Sequence, residues 1–229
     1  MPLRIGFDLD GVLADFASAF HAVETRLFGT GASSAPDEPG DEEDRQSVPQ
    51  GSGSTPSAGR SRTREAIWRQ ITSTEDFWTT LQPTDPSAVR RIHDLMLRHR
   101  WEVFFITQRP ATRGDTVQRQ TQRWLVAQGF ELPSVLVIAG SRGAAAGALR
   151  LDYLVDDSAT NCLDVLSDSS ARPMLIVGAT DSPTARRARS LGIGVAGSIG
   201  DAIDLLEQTS TVSEKPGLVE RLAAAVGWQ

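Results

Sequence analysis

The chain has 229 residues, 40% hydrophobic and 23% charged, with a net charge of −6. That is the balance of a soluble globular protein with one large domain, or one domain carrying an insertion. The acidic balance argues against a nucleic-acid scaffold, and no apolar run reaches the roughly 18 residues a membrane span needs. Cys162 is the only cysteine, so no intramolecular disulfide is available. The N-terminus enters an apolar stretch directly after Met1-Pro2, without a charged-then-apolar leader. A reducing, cytoplasmic location is the expectation.

Leu3, Ile5 and Phe7 form a short apolar strand that stops at Asp8 and Asp10, followed by Gly11. In open α/β sheets, ligands bind at the carboxyl ends of the strands. Two acids two residues apart leave an extended strand end on the same side. Phe16, Phe20, Val23 and Leu27 then recur at helical spacing up to Gly29, a fitting helix stop. Residues 29–64 hold one large aliphatic residue, Val48, and no aromatic. Such a stretch buries too little apolar surface to offset ordering, so a disordered insertion is expected. Residues 65–81 predict a helix through Ile67, Trp68 and Ile71, and a second, capped by Ser73 or Thr74, carrying Phe77-Trp78. Lying between the first two strands, residues 15–83 read as a helical cap over the sheet's carboxyl end.

From Asp85-Pro86, a good cap and first-turn pair, helices and strands alternate. Helices are predicted to His99, over 112–128, 142–149 and 184–191, with one reaching Leu166 and another from Ile199 to Glu207. Strands are predicted at 101–106, 135–139, 153–155, 174–177 and 193–195. This alternation predicts a doubly wound parallel sheet with right-handed connections, a Rossmann-like core over 1–14 and 84–207. Leu218, Val219, Leu222 and Val226 give residues 208–229 the character of a helical tail.

Polar residues recur where these strands end: Asp8 and Asp10 after the first, Thr107 after WEVFFI, Asp156-Asp157 after YLV. Carboxylates converging at one sheet edge repel unless a cation holds them. Oxygen donors without histidine or cysteine favour Mg²⁺ over Zn²⁺. One carboxylate can then serve as nucleophile, a second as acid and base, with a hydroxyl and a cation on the transferring oxygens. An EF-hand loop is set aside because Ala19 stands where its bidentate glutamate belongs. No G-x-G-x-x-G follows the first strand, which sets aside a dinucleotide fold.

FDLDGVLAD, ITQRP and LVDDS, in this order, resemble the haloacid dehalogenase-like superfamily of aspartate-nucleophile phosphatases. The run Asp8 to Phe16 is similar to the opening motif of its 5'(3')-deoxyribonucleotidase (C-type 5'-nucleotidase) branch. The resemblance covers 3–28 and 65–206, and implies a Mg²⁺-dependent phosphoric monoester hydrolase. Its substrate would be a small phosphomonoester, a (deoxy)nucleoside monophosphate in that branch, with neither nucleic-acid polymer nor membrane as partner. It implies Asp8 as nucleophile and metal ligand, and Asp10 as general acid/base with its carbonyl on the metal. Thr107 would bind the phosphoryl oxygens, and Asp157, supported by Asp156, would supply the remaining metal carboxylate. Phe16, Phe77 and Trp78 match aromatic positions of the substrate pocket.

The superfamily's lysine before the last acidic strand is missing. Arg142 takes its place, and the usual arginine after the acidic pair is Ser158. An arginine is a planar fork on a different stem, so the exchange is not conservative at a tight site. Gln108 replaces a smaller residue. Arg109 is a candidate phosphate or substrate contact, set against the plainer expectation of a surface loop arginine. The alternative function is a phosphatase-like binding or regulatory module that keeps the metal and phosphate site with little or no turnover.

Overall fold

The computed structural model describes residues 2–29 and 58–212. Six parallel strands make one sheet: β1 (Arg4–Asp8), β2 (Glu102–Thr107), β3 (Ser134–Val137), β4 (Tyr153–Asp156), β5 (Arg172–Ile176) and β6 (Gly194–Ala196). Their spatial order is β3-β2-β1-β4-β5-β6. The chain therefore winds outward from β1 in one direction, returns, and winds outward in the other. β1 is the topological switch point, where the flanking crossovers diverge and leave a crevice.

Alternation along β1 assigns its side chains to two layers. Ile5 and Phe7 join the larger core with Val103, Phe105, Val155, Val89, Ile92, Ile203 and Leu206. These last four come from α3 (Pro86–His99) and α8 (Ile199–Val212). Behind the sheet, Ile106 and Leu154 pack with Ala146 of α5 (Arg142–Leu149) and Val165 of α6 (Ala159–Asp168). α5 and α6 pack closely at Gly143, where a Cβ would stand 2.2 Å from the Asp164 carbonyl oxygen.

The insertion after β1 is helical. α1 (Phe16–Phe28) is capped by Asp15, whose carboxylate accepts from the Ser18 N–H at 2.9 Å. α2 (Ala58–Ser73) follows, then a 3-10 turn at Phe77–Thr79. The chain leaves the core and returns to it along two adjacent connectors. The Asp15 N–H donates to the Gln82 carbonyl and the Thr84 N–H to the Leu13 carbonyl, at 2.8 and 2.9 Å.

Several boundaries differ from expectation. Residues 58–64, expected to be disordered, are the first turns of α2. Ile67 and Ile71 anchor that helix in the core, and its polar start extends as helix without needing burial of its own. The predicted helix carrying Phe77-Trp78 is a single 3-10 turn, because Asp76 before it takes a left-handed conformation, φ 49°. α4 (Val117–Ala127) starts five residues later than predicted, at a Thr116 cap. Gly114, φ +92°, turns the preceding residues toward Asp76 instead, with the Asp115 N–H 2.8 Å from Asp76 Oδ1. α8 runs on to Val212, past Glu207. The heart of the expected disordered insertion and the tail from Pro216 lie outside the described residues. No helix among them is long and apolar enough to cross a membrane.

Candidate active site

Asp8 closes β1, opposite Ile106 of β2, and Thr107 extends one residue further. On the other side Phe7 faces Val155 of β4, so Asp156 stands level with Asp8. In-register neighbours of parallel strands point to the same face. Asp8 and Asp156 therefore share the layer of α5, and the first residue of α5, Arg142, reaches both. Its Nη2 donates to Asp8 Oδ1 at 2.7 Å and its Nε lies 3.5 Å from Asp156 Oδ2. Ser141 caps α5 by accepting from the Ala144 N–H at 2.9 Å, which fixes where Arg142 emerges. Asp8, Arg142 and Asp156 are all buried.

Asp156 also accepts from the Ser158 N–H at 2.8 Å and from Asn161 Nδ2 at 3.2 Å. Burial raises its carboxyl, and Arg142, the Ser158 N–H and Asn161 oppose that rise. Ser158, standing where the resemblance expects an arginine, is the N-cap of α6. Asp157 is exposed and lies against Gly11, where a Cβ would fall 1.9 Å from its Oδ2. Gly11 has φ +85°, a conformation that side-chain-bearing residues resist, so this close approach is specific to glycine. Desolvation and the Asp156 and Asp10 carboxylates raise the Asp157 carboxyl to about 7.

Thr107 is completely buried, and its Oγ1 has no hydrogen-bond partner among the described residues. A buried hydroxyl left unpaired is costly, so this oxygen is suited to a ligand that completes it.

Three solved structures illustrate what this fold is similar to. A haloacid dehalogenase-like family hydrolase from Streptococcus pneumoniae superposes with TM-score 0.53 at 10% identity, over 90% of this chain and 98% of that one. A hydrolase of the same family from Deinococcus radiodurans R1, with bound phosphate and sodium, gives TM-score 0.55 at 16% identity, over 90% and 96%. A phosphonoacetaldehyde hydrolase-like protein from Oleispira antarctica gives 0.53 at 13%, over 92% and 93%. The chain has the haloacid dehalogenase-like fold. No protein-family model and no curated protein matches it. The likeness shows the fold and specifies no branch within it.

Within this haloacid dehalogenase-like fold, Arg109 departs most from expectation. Rather than a surface loop arginine, it is 5% exposed. Its Nε and Nη2 fork onto Asp10 Oδ2 and Oδ1 at 2.8 and 2.7 Å, and Nη1 donates to Thr121 Oγ1 at 3.0 Å. The guanidinium carbon sits 4.7 Å from the Trp78 ring centroid. Sequence offered one signal for this, an arginine two residues past a strand-end threonine, but no way to choose its partner. Gln108 and Arg109 line an open hollow of about 260 Å³ with Pro110, Val137, Ile138 and Ala139.

Phe16, Phe77 and Trp78, expected around a substrate, are buried within the helical insertion after β1. Phe16 packs against Phe20, Trp68 and Trp78 at centroid distances of 5.5 to 5.8 Å. Trp78 is pinned further, donating through Nε1 to the Pro110 carbonyl at 3.0 Å. Burial makes these rings part of the larger core that Ile5 and Phe7 also join, with Trp78 touching the site through Arg109.

Among the described residues no group of three His, Cys, Asp or Glu side chains is placed to hold a metal by itself. The donor chemistry nevertheless fits Mg²⁺. Four carboxylates (Asp8, Asp10, Asp156, Asp157) share the strand ends with two guanidiniums (Arg109, Arg142), a formal excess of two negative charges. Mg²⁺ needs only one or two protein carboxylates, completing its shell with water and phosphate oxygens.

Proposed function

We propose that the protein is a Mg²⁺-dependent phosphatase of small phosphomonoesters that works through an aspartyl-phosphate on Asp8. The observation that carries this reading is the meeting, at the β1 switch point, of buried Asp8 and buried Thr107, with Arg142 hydrogen-bonded to Asp8. A carboxylate oxygen of Asp8 attacks phosphorus in line with the leaving oxygen, whose bond to phosphorus breaks. Asp10, entering this step in its protonated form, gives its proton to that oxygen. Asp10, now a carboxylate, takes a proton from water as the water attacks the same phosphorus, releasing inorganic phosphate and restoring Asp8. The Thr107 hydroxyl donates to a phosphoryl oxygen, and the Arg142 guanidinium offsets the charge on Asp8 and the phosphoryl group. Asp8 and Asp157 through their carboxylates, and Asp10 through its carbonyl, are the residues that would hold Mg²⁺. When bound there, it neutralises charge on the transferring oxygens.

Residues 15–83 act in this reading as a cap on a core of 1–14 and 84–207, with 208–229 as a tail. The paired connectors at 13–15 and 82–84 support that division. The finer assignment, a (deoxy)nucleoside monophosphate as substrate, is supported by the opening motif from Asp8 to Phe16.

Hydrolysis of p-nitrophenyl phosphate and of a panel of nucleoside monophosphates with Mg²⁺ tests the proposal, with Asp8→Asn as control. Turnover by the wild type and none by Asp8→Asn is the expected result. Equal inertness of both would favour the second reading, a core that binds Mg²⁺ and phosphate without turnover. The Arg142 hydrogen bond, which draws charge from Asp8, is the observation in that reading's favour.

A further inference from the structure

We infer that Arg109 is the positioning residue for Asp10, and that the cap sets its position through Trp78. The inference rests on the phosphatase reading. Asp10 leaves the strand end on a loop, and the side chain of a loop aspartate is free to rotate about two torsions. Here it is not free. Both carboxylate oxygens meet the Arg109 fork at 2.7 and 2.8 Å, a bidentate geometry that fixes the plane of the carboxylate as well as its place.

Arg109 is itself fixed from three directions. Thr121, on the inward face of α4, takes Nη1 at 3.0 Å. The Trp78 ring lies across its guanidinium at 4.7 Å, the range of a cation–π contact. Its backbone belongs to the loop that accepts the Trp78 indole N–H at Pro110. Trp78 is in turn held by the cap and by α4: its backbone N–H donates to Gln120 Oε1 at 3.1 Å, and its ring packs on Phe16 and Phe77. A continuous set of contacts therefore runs from the cap aromatics through Trp78 and Arg109 to the carboxylate. Arg109 does not touch the reacting atoms. It acts by holding Asp10 where the leaving oxygen and then the attacking water must lie.

This role has a consequence that mere support of the fold would not have. Protonating the leaving oxygen matters for an alkoxide and little for p-nitrophenolate, which departs readily unprotonated. kcat/KM reports only the steps through departure of the leaving group. Misplacing Asp10 should thus lower kcat/KM for an alkyl phosphate much more than for an aryl one.

The test compares full-length wild type, Arg109→Lys and Thr121→Val with Mg²⁺, using glycerol phosphate and p-nitrophenyl phosphate, thermal melts confirming folding. Arg109→Lys keeps the charge and loses the fork. Thr121→Val keeps Arg109 and removes one of its anchors. Arg109→Lys is expected to lower kcat/KM for glycerol phosphate at least about tenfold more than for p-nitrophenyl phosphate, within the range of acid–base catalysis. Thr121→Val should shift the ratio in the same sense by less. With p-nitrophenyl phosphate, Arg109→Lys should also show a burst of nitrophenolate, because the water-activating half of the cycle slows. Equal losses on both substrates, or an unchanged ratio in both folded variants, would overturn the inference while leaving the phosphatase reading intact. An inert wild type would instead remove the phosphatase reading itself.

Discussion

Arg142 Nη2 stands 2.7 Å from Asp8 Oδ1, with both side chains no more than 2% exposed. The pair joins the first turn of α5 to the end of the central strand, and the Arg142 Nε lies 3.5 Å from Asp156 on the next strand. Removing one partner of a buried ion pair strands the other's charge, at a cost of about 3 kcal/mol or more. Arg142→Ala is therefore expected to lower unfolding free energy by about that much in urea titrations. Adding Asp8→Asn to Arg142→Ala should recover part of the loss, since the stranded charge goes with it. Strictly additive losses would mean that the two groups are not coupled.

Thr107 should separate stability from activity. Its hydroxyl is buried without a partner among the described residues, so replacing it with a methyl group removes an unsatisfied polar atom. Thr107→Val is expected to unfold no more easily than wild type, yet to lose on the order of 100-fold in kcat, as when one donor to a developing anion is removed. A stability loss of several kcal/mol with unchanged kcat would contradict this assignment.

The fold was largely legible in the chain because apolar strands and amphipathic helices alternate with good caps, as at Asp85-Pro86 and Thr116. The acids were legible for the same reason: a strand of period two delivers Asp8 and Asp10 to its carboxyl end, and parallel pairing brings Asp156 level with Asp8 and Thr107 one residue past it. Arg109 was not. Its neighbours Asp10, Trp78 and Thr121 are each at least 12 residues away, and local pattern holds no information about which of them a long side chain reaches. The 3-10 turn at Phe77–Thr79 was hidden likewise, since the left-handed Asp76 is fixed by Arg113, Asp115 and Arg123, all remote in sequence.

Asp85 gives a pH-dependent test of how α3 begins. Its carboxylate accepts from the Ser87 hydroxyl and from the Ser87 and Ala88 N–H groups at the start of α3. The Ser87 hydroxyl foremost, then the Ala88 N–H, hold its carboxyl below the usual range. A lowered folded value means the stabilisation is complete above the unfolded value, near 3.9, and disappears as pH falls through the folded one. Asp85→Ala should thus cost about 1 kcal/mol at neutral pH. The difference should fade once the pH is well below the range in which aspartates ionise. A gap between wild type and variant that persists in acid would show that the carboxylate is not what caps α3.

The proposed mechanism requires a covalent bond between Asp8 and phosphorus. Wild-type protein mixed with Mg²⁺ and p-nitrophenyl phosphate, quenched in acid during turnover, can be digested and its peptides weighed. One phosphoryl group on the peptide containing Asp8, absent from Asp8→Asn, is the expected result. Turnover with no phosphoryl group on that peptide, or Asp8→Asn hydrolysing the substrate as fast as wild type, would contradict it.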